Sequence, residues 1–419
     1  MRGWSRILSL ALVVLAAACT SSEPESGSFP VDEVRIGVLA PLSGDDKAIG
    51  TDSVRGAQLA AALVNGEAGD LSLAAAAGRL AGARVAVVPG DTAGDPTRGA
   101  TEAGRLIAAE RVVGLVGAYH AEVTDAASLR SERLRVPFVN GDTSADFLTE
   151  RDSDWFFRTG PTDRMLGEAF LSALRVVDDE PVETVGILSV RDRPGTVIAR
   201  LTEELANQGG YRVASEATFA PGGQDLAPAV TKVQAAQPST VFAVVSSTDQ
   251  MRQMLRTFTQ LGYSPPGLLT FGAGVLEAPV LQAAGRQGQG LLYSAGWSRE
   301  VAARNPAAKP IIELYEQRFG APMSEVAAGS FTAVLTLVQA IADAGTVEAD
   351  RVRTALLNLD ISGRDTIMPW NGVRFDGTHQ NIGASGVVEQ VDGDTFRVIF
   401  PTELAQQEAK WPLETARDQ

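Results

Sequence analysis

The 419-residue sequence holds a single cysteine, Cys19, and two histidines, His120 and His379. With no cysteine after Cys19, disulfides and thiolate chemistry are excluded from the body of the chain. A metal site would depend on carboxylates, and none cluster at ligand spacing, so neither metal nor cofactor is expected. Lysine is scarce, occurring only at Lys47, Lys232, Lys309 and Lys410, and there is no basic run. A formal charge of −15 therefore argues against a nucleic-acid partner and against attraction to an anionic membrane. Catalytic signatures are missing as well. There is no Gly-x-Ser-x-Gly elbow, no phosphate-cradling Gly-Lys-Ser/Thr loop and no cysteine–histidine pair, so no enzyme is expected. Gly272 and Gly274 follow a strand in the manner of a dinucleotide fingerprint. Glu277, however, stands where the third glycine belongs, and no acidic residue follows at the required distance.

What is present begins with a short leader. Arg2 and Arg6 precede an apolar stretch, Ile7 to Ala18, that falls short of the roughly 20 residues needed to span a bilayer. It reads as a signal peptide. Ala16, Ala17, Ala18 and Cys19 resemble a bacterial lipobox, with Leu15 one place early, which makes Cys19 the expected lipidation site. Residues 20–32 are rich in Ser, Glu, Gly and Pro and read as a flexible tether.

Beyond the tether, apolar runs alternate with amphipathic helical patterns. Strands are expected at Val34–Leu39, Ala83–Val88, Val112–Val116 and Val136–Val139. A second set is expected at Thr184–Val190, Thr240–Val245, Leu268–Phe271 and Leu291–Ser294. Near-continuous apolar strands belong in parallel sheets covered on both faces. Two such sets predict an α/β protein of two doubly wound βαβ lobes. Two late β-like runs, Gly386–Val391 and Thr395–Phe400, suggest a return to an earlier sheet.

In open α/β sheets the ligand crevice lies beyond the carboxyl ends of the strands. That points to the loops 41–50, 117–124, 140–145, 191–195, 246–249 and 272–277. Trp297 follows the last strand of the second set, where an indole could roof a cleft or pack between lobes. Each polar loop residue has a plainer alternative, because turns and helix caps use the same residue types.

Several segments resemble the type I periplasmic binding proteins, in particular the leucine/isoleucine/valine-binding and amide-binding branch of ABC-importer receptors. They are Ile36–Gly44 with Gly50, Gly90–Pro96, Val113–Gly117, Val136–Phe138, Phe157–Asp163, Leu261–Tyr263 and Val373–Asp376. The resemblance implies two lobes joined by three crossover segments, near Phe156–Pro161, Ser294–Arg299 and Ser362–Trp370, with a ligand cleft between them. The expected division is 1–19 signal peptide, 20–32 tether, 33–157 plus 297–361 first lobe, 158–296 plus 362–402 second lobe, and 403–419 tail. It implies a monomeric, extracytoplasmic solute receptor, lipid-anchored or periplasmic, that serves an ABC permease and touches the membrane only through its lipid. A sensing lipoprotein or a scaffold with a decayed pocket would share the same fold.

The expected ligand-binding residues are Ile49, Tyr119, His120, Ala121, Asp142, Thr143, Ser144, Arg193, Ser246, Gly274, Glu277 and Trp297. Four positions depart from the family's amino-acid clamp. Ala121 stands where a serine hydroxyl holds the ligand carboxylate, and Asp142 with Ser144 replaces a small residue and Thr. Ile49 replaces an aromatic, and Pro194 replaces a Tyr before Gly195. Asp142 would repel a carboxylate but suits an ammonium or an amide. Arg191 or Arg193 could supply a compensating positive charge or simply form a surface ion pair. The expected solute is a small polar or amphipathic metabolite such as an amino acid or amide.

Overall fold

The computed structural model describes residues 29–413, apart from 69–72, 74–79, 81, 177–181, 272–287 and 394. Cys19, Gly274 and Glu277 lie outside the described residues. The chain forms two sheets in succession. The first comprises β1 (Glu33–Ala40), β2 (Arg84–Asp91), β3 (Gly114–Gly117), β4 (Phe138–Asn140) and β5 (Phe156–Arg158), all parallel, in the order β2-β1-β3-β4-β5. Its helices are α1 (Lys47–Val64), α2 (Pro96–Ala108) and α3 (Ala121–Leu134).

The second sheet begins after α4 (Asp163–Leu174). It is built from β6 (Thr184–Val190), β7 (Arg212–Phe219), β8 (Thr240–Val244), β9 (Leu268–Phe271) and β10 (Leu292–Ala295). The helices between them are α5 (Arg193–Gln208), α6 (Leu226–Ala235) and α7 (Thr248–Gln260). The chain then runs back over the first sheet as α8 (Lys309–Phe319), α9 (Glu325–Ala344) and α10 (Ala349–Leu357), with the small ribbon β11 (Ile361–Ser362) and β12 (Gly372–Val373). Finally β13 (Val387–Asp392) and β14 (Thr395–Phe400) join the second sheet antiparallel, giving the order β14-β13-β10-β9-β8-β6-β7. Discounting those two added strands, both sheets have the same strand order.

Alternation along the strands explains the apolar runs. Val34, Ile36, Val38, Val116, Val139 and Phe157 face α1 and α9, while Leu39, Leu115, Phe138 and Phe156 face α2 and α3. The second sheet is likewise covered on both faces. Met251, Met254, Leu255 and Phe258 of α7 pack on one side; Phe170 of α4 and Leu201 of α5 pack on the other. Helix α9 is long and apolar enough to cross a membrane, yet most of it is buried in this core.

Four strands have no counterpart in the apolar pattern, among them the two-residue β11 and β12. Strand β7 is a sheet edge with alternating exposed residues, and β5 is only three residues long. The lobe boundaries also differ from expectation. Ile367, Met368, Trp370, Val373 and Phe375 pack into the first core, so the third passage between sheets falls near Ala384–Val387 rather than Ser362–Trp370. Their large apolar side chains find cover only against the first lobe. The end of the chain is not a free tail as far as Leu413. Trp411 and Leu413 are buried in the second lobe, and the Leu413 amide donates to the Pro266 carbonyl at 2.8 Å.

Helices α1 and α9 approach most closely at Gly56, where an added Cβ would lie 2.0 Å from the Ala327 carbonyl oxygen. The neighbouring Ser53 and Ser330 hydroxyls share a buried hydrogen bond of 2.7 Å. Gly56→Ala should force the helices apart and destabilise the protein by about 1–3 kcal/mol, measured by urea denaturation. An unchanged midpoint would show that this contact is not tight.

Candidate functional site

The strand order of each sheet reverses between its first and third βα units, at β1/β3 in one lobe and β6/β8 in the other. Crevices open at such switch points, beyond the carboxyl ends of the strands. In the first lobe this places the loop 41–46 beside 118–120. Gly117 has φ 120°, and a Cβ there would sit 2.1 Å from the Leu39 carbonyl oxygen, so only glycine lets β3 turn out so close to β1. Tyr119 follows with φ 66°, a strained conformation for a side-chain-bearing residue and one that clusters at ligand sites.

Polar side chains hold these loops together. His120 Nε2 and Asp46 Oδ2 are 2.9 Å apart, and the Tyr119 ring meets the imidazole edge-on. The Thr143 hydroxyl donates to the Tyr119 carbonyl at 2.7 Å and lies 3.1 Å from the Thr124 hydroxyl. Asn140 donates to the Gly117 carbonyl at 2.7 Å, tying β4 to β3. His120 and Thr143 are therefore engaged in building the cleft wall. Ile49 and Ala121, both partly exposed, sit in the first turns of α1 and α3.

In the second lobe, the Ser246 hydroxyl donates to Asp192 at 3.1 Å, joining the loops after β8 and β6. Asp192 also caps α5 by accepting the Gly195 amide. Arg191 forms an exposed ion pair with Asp225, the plainer of its two expected roles, and Arg193 is exposed on the first turn of α5. Trp297 does not roof the cleft. It is 4% exposed, packs in the first lobe's core and donates its indole N–H to the Ile367 carbonyl.

Ser144 and Asp142 lie where the lobes meet. The Ser144 carbonyl accepts the Asp163 amide at 2.8 Å from the second lobe. Burial pushes the Asp163 carboxyl up to about 6, although the Ser144 hydroxyl and Arg158 favour its charge. Asp142 stands against α9, with the Ser330 hydroxyl 3.4 Å away. Burial pushes its carboxyl up to about 7, with nearby Glu325 adding to the rise against the Ser330 hydroxyl.

Three participants escaped sequence reasoning. Glu325, the first residue of α9, accepts the Gly296 amide at 2.6 Å, and burial pushes it up to about 7. Tyr293 and Glu389 face each other across β10 and β13. Burial raises Glu389 to about 7 and holds the Tyr293 phenol well above its ordinary range. Tyr293 also senses Tyr119 across the cleft, alongside both glutamates. A charge inside the apolar run of β13 was the available signal for Glu389. Glu325 resembles ordinary helix-start chemistry, and Tyr293 resembles core.

The passages between lobes are braced by side chains. Arg158 is fully buried; it donates to Gln380 Oε1 at 2.6 Å, to the Ala145 carbonyl at 2.6 Å and to the Thr149 hydroxyl. Asn381 donates to the Thr159 carbonyl, and the Trp370 indole donates to the Gly296 carbonyl. All three connections are thus fixed near their ends.

Comparison with known proteins fits this geometry. Residues 33–395 match the family model described as periplasmic binding protein. The chain belongs to that family. Leu/Ile/Val-binding protein homolog 7 of Brucella abortus (strain 2308) is 23% identical over 93% of this chain and 96% of its own. Among solved structures, a leucine-binding protein from Thermotoga maritima superposes with a TM-score of 0.72 at 21% identity, covering 87% of this chain and 97% of its own. A putative branched-chain amino acid ABC transporter protein from Silicibacter pomeroyi gives 0.75 at 20% identity, covering 91% and 99%. The fold is therefore that of the type I, leucine-binding-like receptors.

The buried carboxyls make a signed prediction. Asp142, Glu325 and Glu389 have folded pKa values of about 7, against ordinary values of 3.8 for Asp and 4.5 for Glu. Their stabilising contribution is full below about pH 4 and is lost as pH rises through about 7, because the folded state holds protons that the unfolded chain has released. Asp91 and Asp225, whose pKa values are lowered, act with opposite sign and below that window. Unfolding free energy should fall less steeply with pH in Glu389→Gln than in the parent between about pH 4.5 and 7.5. Urea titrations at stepped pH measure this, and equal slopes would contradict it.

Proposed function

We propose that this periplasmic binding protein is an extracytoplasmic solute receptor that captures a small polar or amphipathic metabolite between its lobes and delivers it to an ABC importer. The observation that carries the reading is the opposition of two switch-point crevices, from sheets of the same strand order, across three braced connections. A hinge of that construction admits an open and a closed state, and a ligand touching both lobes favours the closed one. Backbone amides at the starts of α1, α3 and α5, together with the Ser144 and Ser246 hydroxyls, supply hydrogen bonds. Ile49 and Tyr119 supply apolar cover. Structural neighbours have been solved with leucine or isoleucine, and one from R. palustris with benzoate, so the shared fold accepts chemically different solutes.

The leader and Cys19 support export and lipid attachment, which would hold the receptor at the outer face of the cell membrane within reach of a permease. Nothing in the reading calls for catalysis, a cofactor or nucleic acid.

The test is a thermal-shift screen of purified protein, unfolded and refolded to strip carried-over ligand. The panel would hold amino acids, amides, amines, ureas, organic acids and nucleosides at ~1 mM. A solute with a dissociation constant near 1 μM should add about 4 kcal/mol of stability. Saturable stabilisation by one chemical class is expected. Silence across the panel from well-folded protein would overturn the receptor reading.

A further inference from the structure

On the outer face of the first lobe, helix α3 presents an exposed side that complements itself. Its inner side buries Val123, Thr124, Ala127, Ser128 and Ser131. With 3.6 residues per turn, the opposite side is the stripe Glu122, Ala126, Leu129 and Arg133. Glu122 and Arg133 are exposed and Ala126 is partly so. Leu129 is 41% exposed, one of six exposed large apolar side chains among the described residues, and a second of the six, Leu134, ends the same helix. Neighbouring charges are engaged, Asp125 with Arg151 and Arg135 with Asp350. Glu122 and Arg133, by contrast, form no ion pair among the described residues.

The spacing of the stripe specifies what fits it. When two identical helices pair antiparallel about a two-fold axis, each contact occurs twice and all contacts share one midpoint. Glu122 with Arg133, and Ala126 with Leu129, have the same midpoint, between residues 127 and 128. A single axis there sets carboxylate against guanidinium twice and leucine against alanine twice. The helix dipole alone favours an acid in the first turn and a base in the last. It does not account for an exposed leucine and an alanine placed symmetrically between them. Beside the stripe, α2 and α3 bound a groove of about 660 Å³ whose walls include Ala100, Gly104 and Ala126. Ala126 belongs to both stripe and groove, so small side chains border the place where a leucine from a facing helix would settle.

We propose that α3 is the docking surface for a second copy of this chain, through an antiparallel α3–α3 contact, in place of the monomer that the resemblance implies. A formal charge of −15 opposes self-association in general, so a pairing face must bring opposite charges together, as this one does. Burial of Leu129 supplies the apolar part of the contact. One helix from each copy makes a small interface, which sets the dimer among weak, reversible ones. Its exposed ion pairs make it sensitive to salt. Lipid attachment at Cys19, proposed above, would confine the copies to one surface and raise their effective concentration. Only the first lobes touch in this arrangement, which leaves each second lobe free to close over solute.

The test is sedimentation velocity on purified protein from about 1 μM to about 300 μM, with charge reversals to fix the register. The parent should show a monomer–dimer equilibrium that weakens as salt is raised. Glu122→Arg and Arg133→Glu should each weaken the dimer at least about tenfold, because each sets like charges opposite one another twice. The two reversals combined should restore the parent's dimer affinity to within about threefold. Leu129→Lys should remove the dimer. All of these side chains face solvent, and circular dichroism checks that each variant is folded. A parent that stays monomeric at every concentration overturns the proposal and leaves the stripe to a different kind of partner. A dimer indifferent to both single reversals overturns it too, as does one that the folded double variant fails to restore. The parent measurement decides the matter even if a variant fails to fold.

Discussion

The buried guanidinium of Arg158 is the constraint on which the arrangement of the two lobes depends. It stands at the end of β5, where the chain first leaves the first lobe. It holds Gln380 beside the third connection and the Ala145 carbonyl beneath the loop that carries Asp142. Gln380 in turn donates to the Gly160 carbonyl at 2.8 Å. A charge taken fully out of water is tolerated only when its donors are satisfied, and Arg158 meets side-chain and backbone oxygens on every side. Burial lowers its pKa to about 10, against the pull of Asp146, Asp163, Glu150 and Asp376, so it remains charged across the physiological range. One side chain therefore registers the hinge against the binding loop.

Around that point the two lobes repeat one solution. Each is a parallel sheet whose order reverses near its middle, with a crevice at the reversal and helices starting from it. In the first lobe the crevice wall is rigid, because Asn140, Thr143, His120 and Asp46 hydrogen-bond loop to loop. In the second lobe the link is the Ser246–Asp192 contact. The acidic groups lie deeper, where α9, β10 and β13 meet. Their character differs from that of the rims: buried, mutually repelling and facing hydroxyls.

Much of the architecture was legible because burial on both faces leaves a continuous apolar record. Ten of the strands correspond to runs such as Thr184–Val190 or Leu268–Phe271 that hold little else. Edge strand β7 left no such record, since one side of Arg212–Phe219 is solvated. The address of the 361–384 segment was also illegible. Periodicity says that Trp370 and Phe375 want cover but not which lobe supplies it. The site was partly legible for the same reason. Loops after strands can be located by position, which singled out Asp142, Ser144 and Ser246 as candidates. Tyr293 and Glu389 project from within strands, and Glu325 from a helix start, so only the packing of distant elements brings them to Asp142.

The central claim is that solute binding and lobe closure are one event. It is tested most directly by small-angle X-ray scattering on the stripped protein as the solute found by screening is titrated in. The account predicts a radius of gyration that shrinks with the same saturation curve as binding. A radius that stays constant while calorimetry shows the site filling would contradict it.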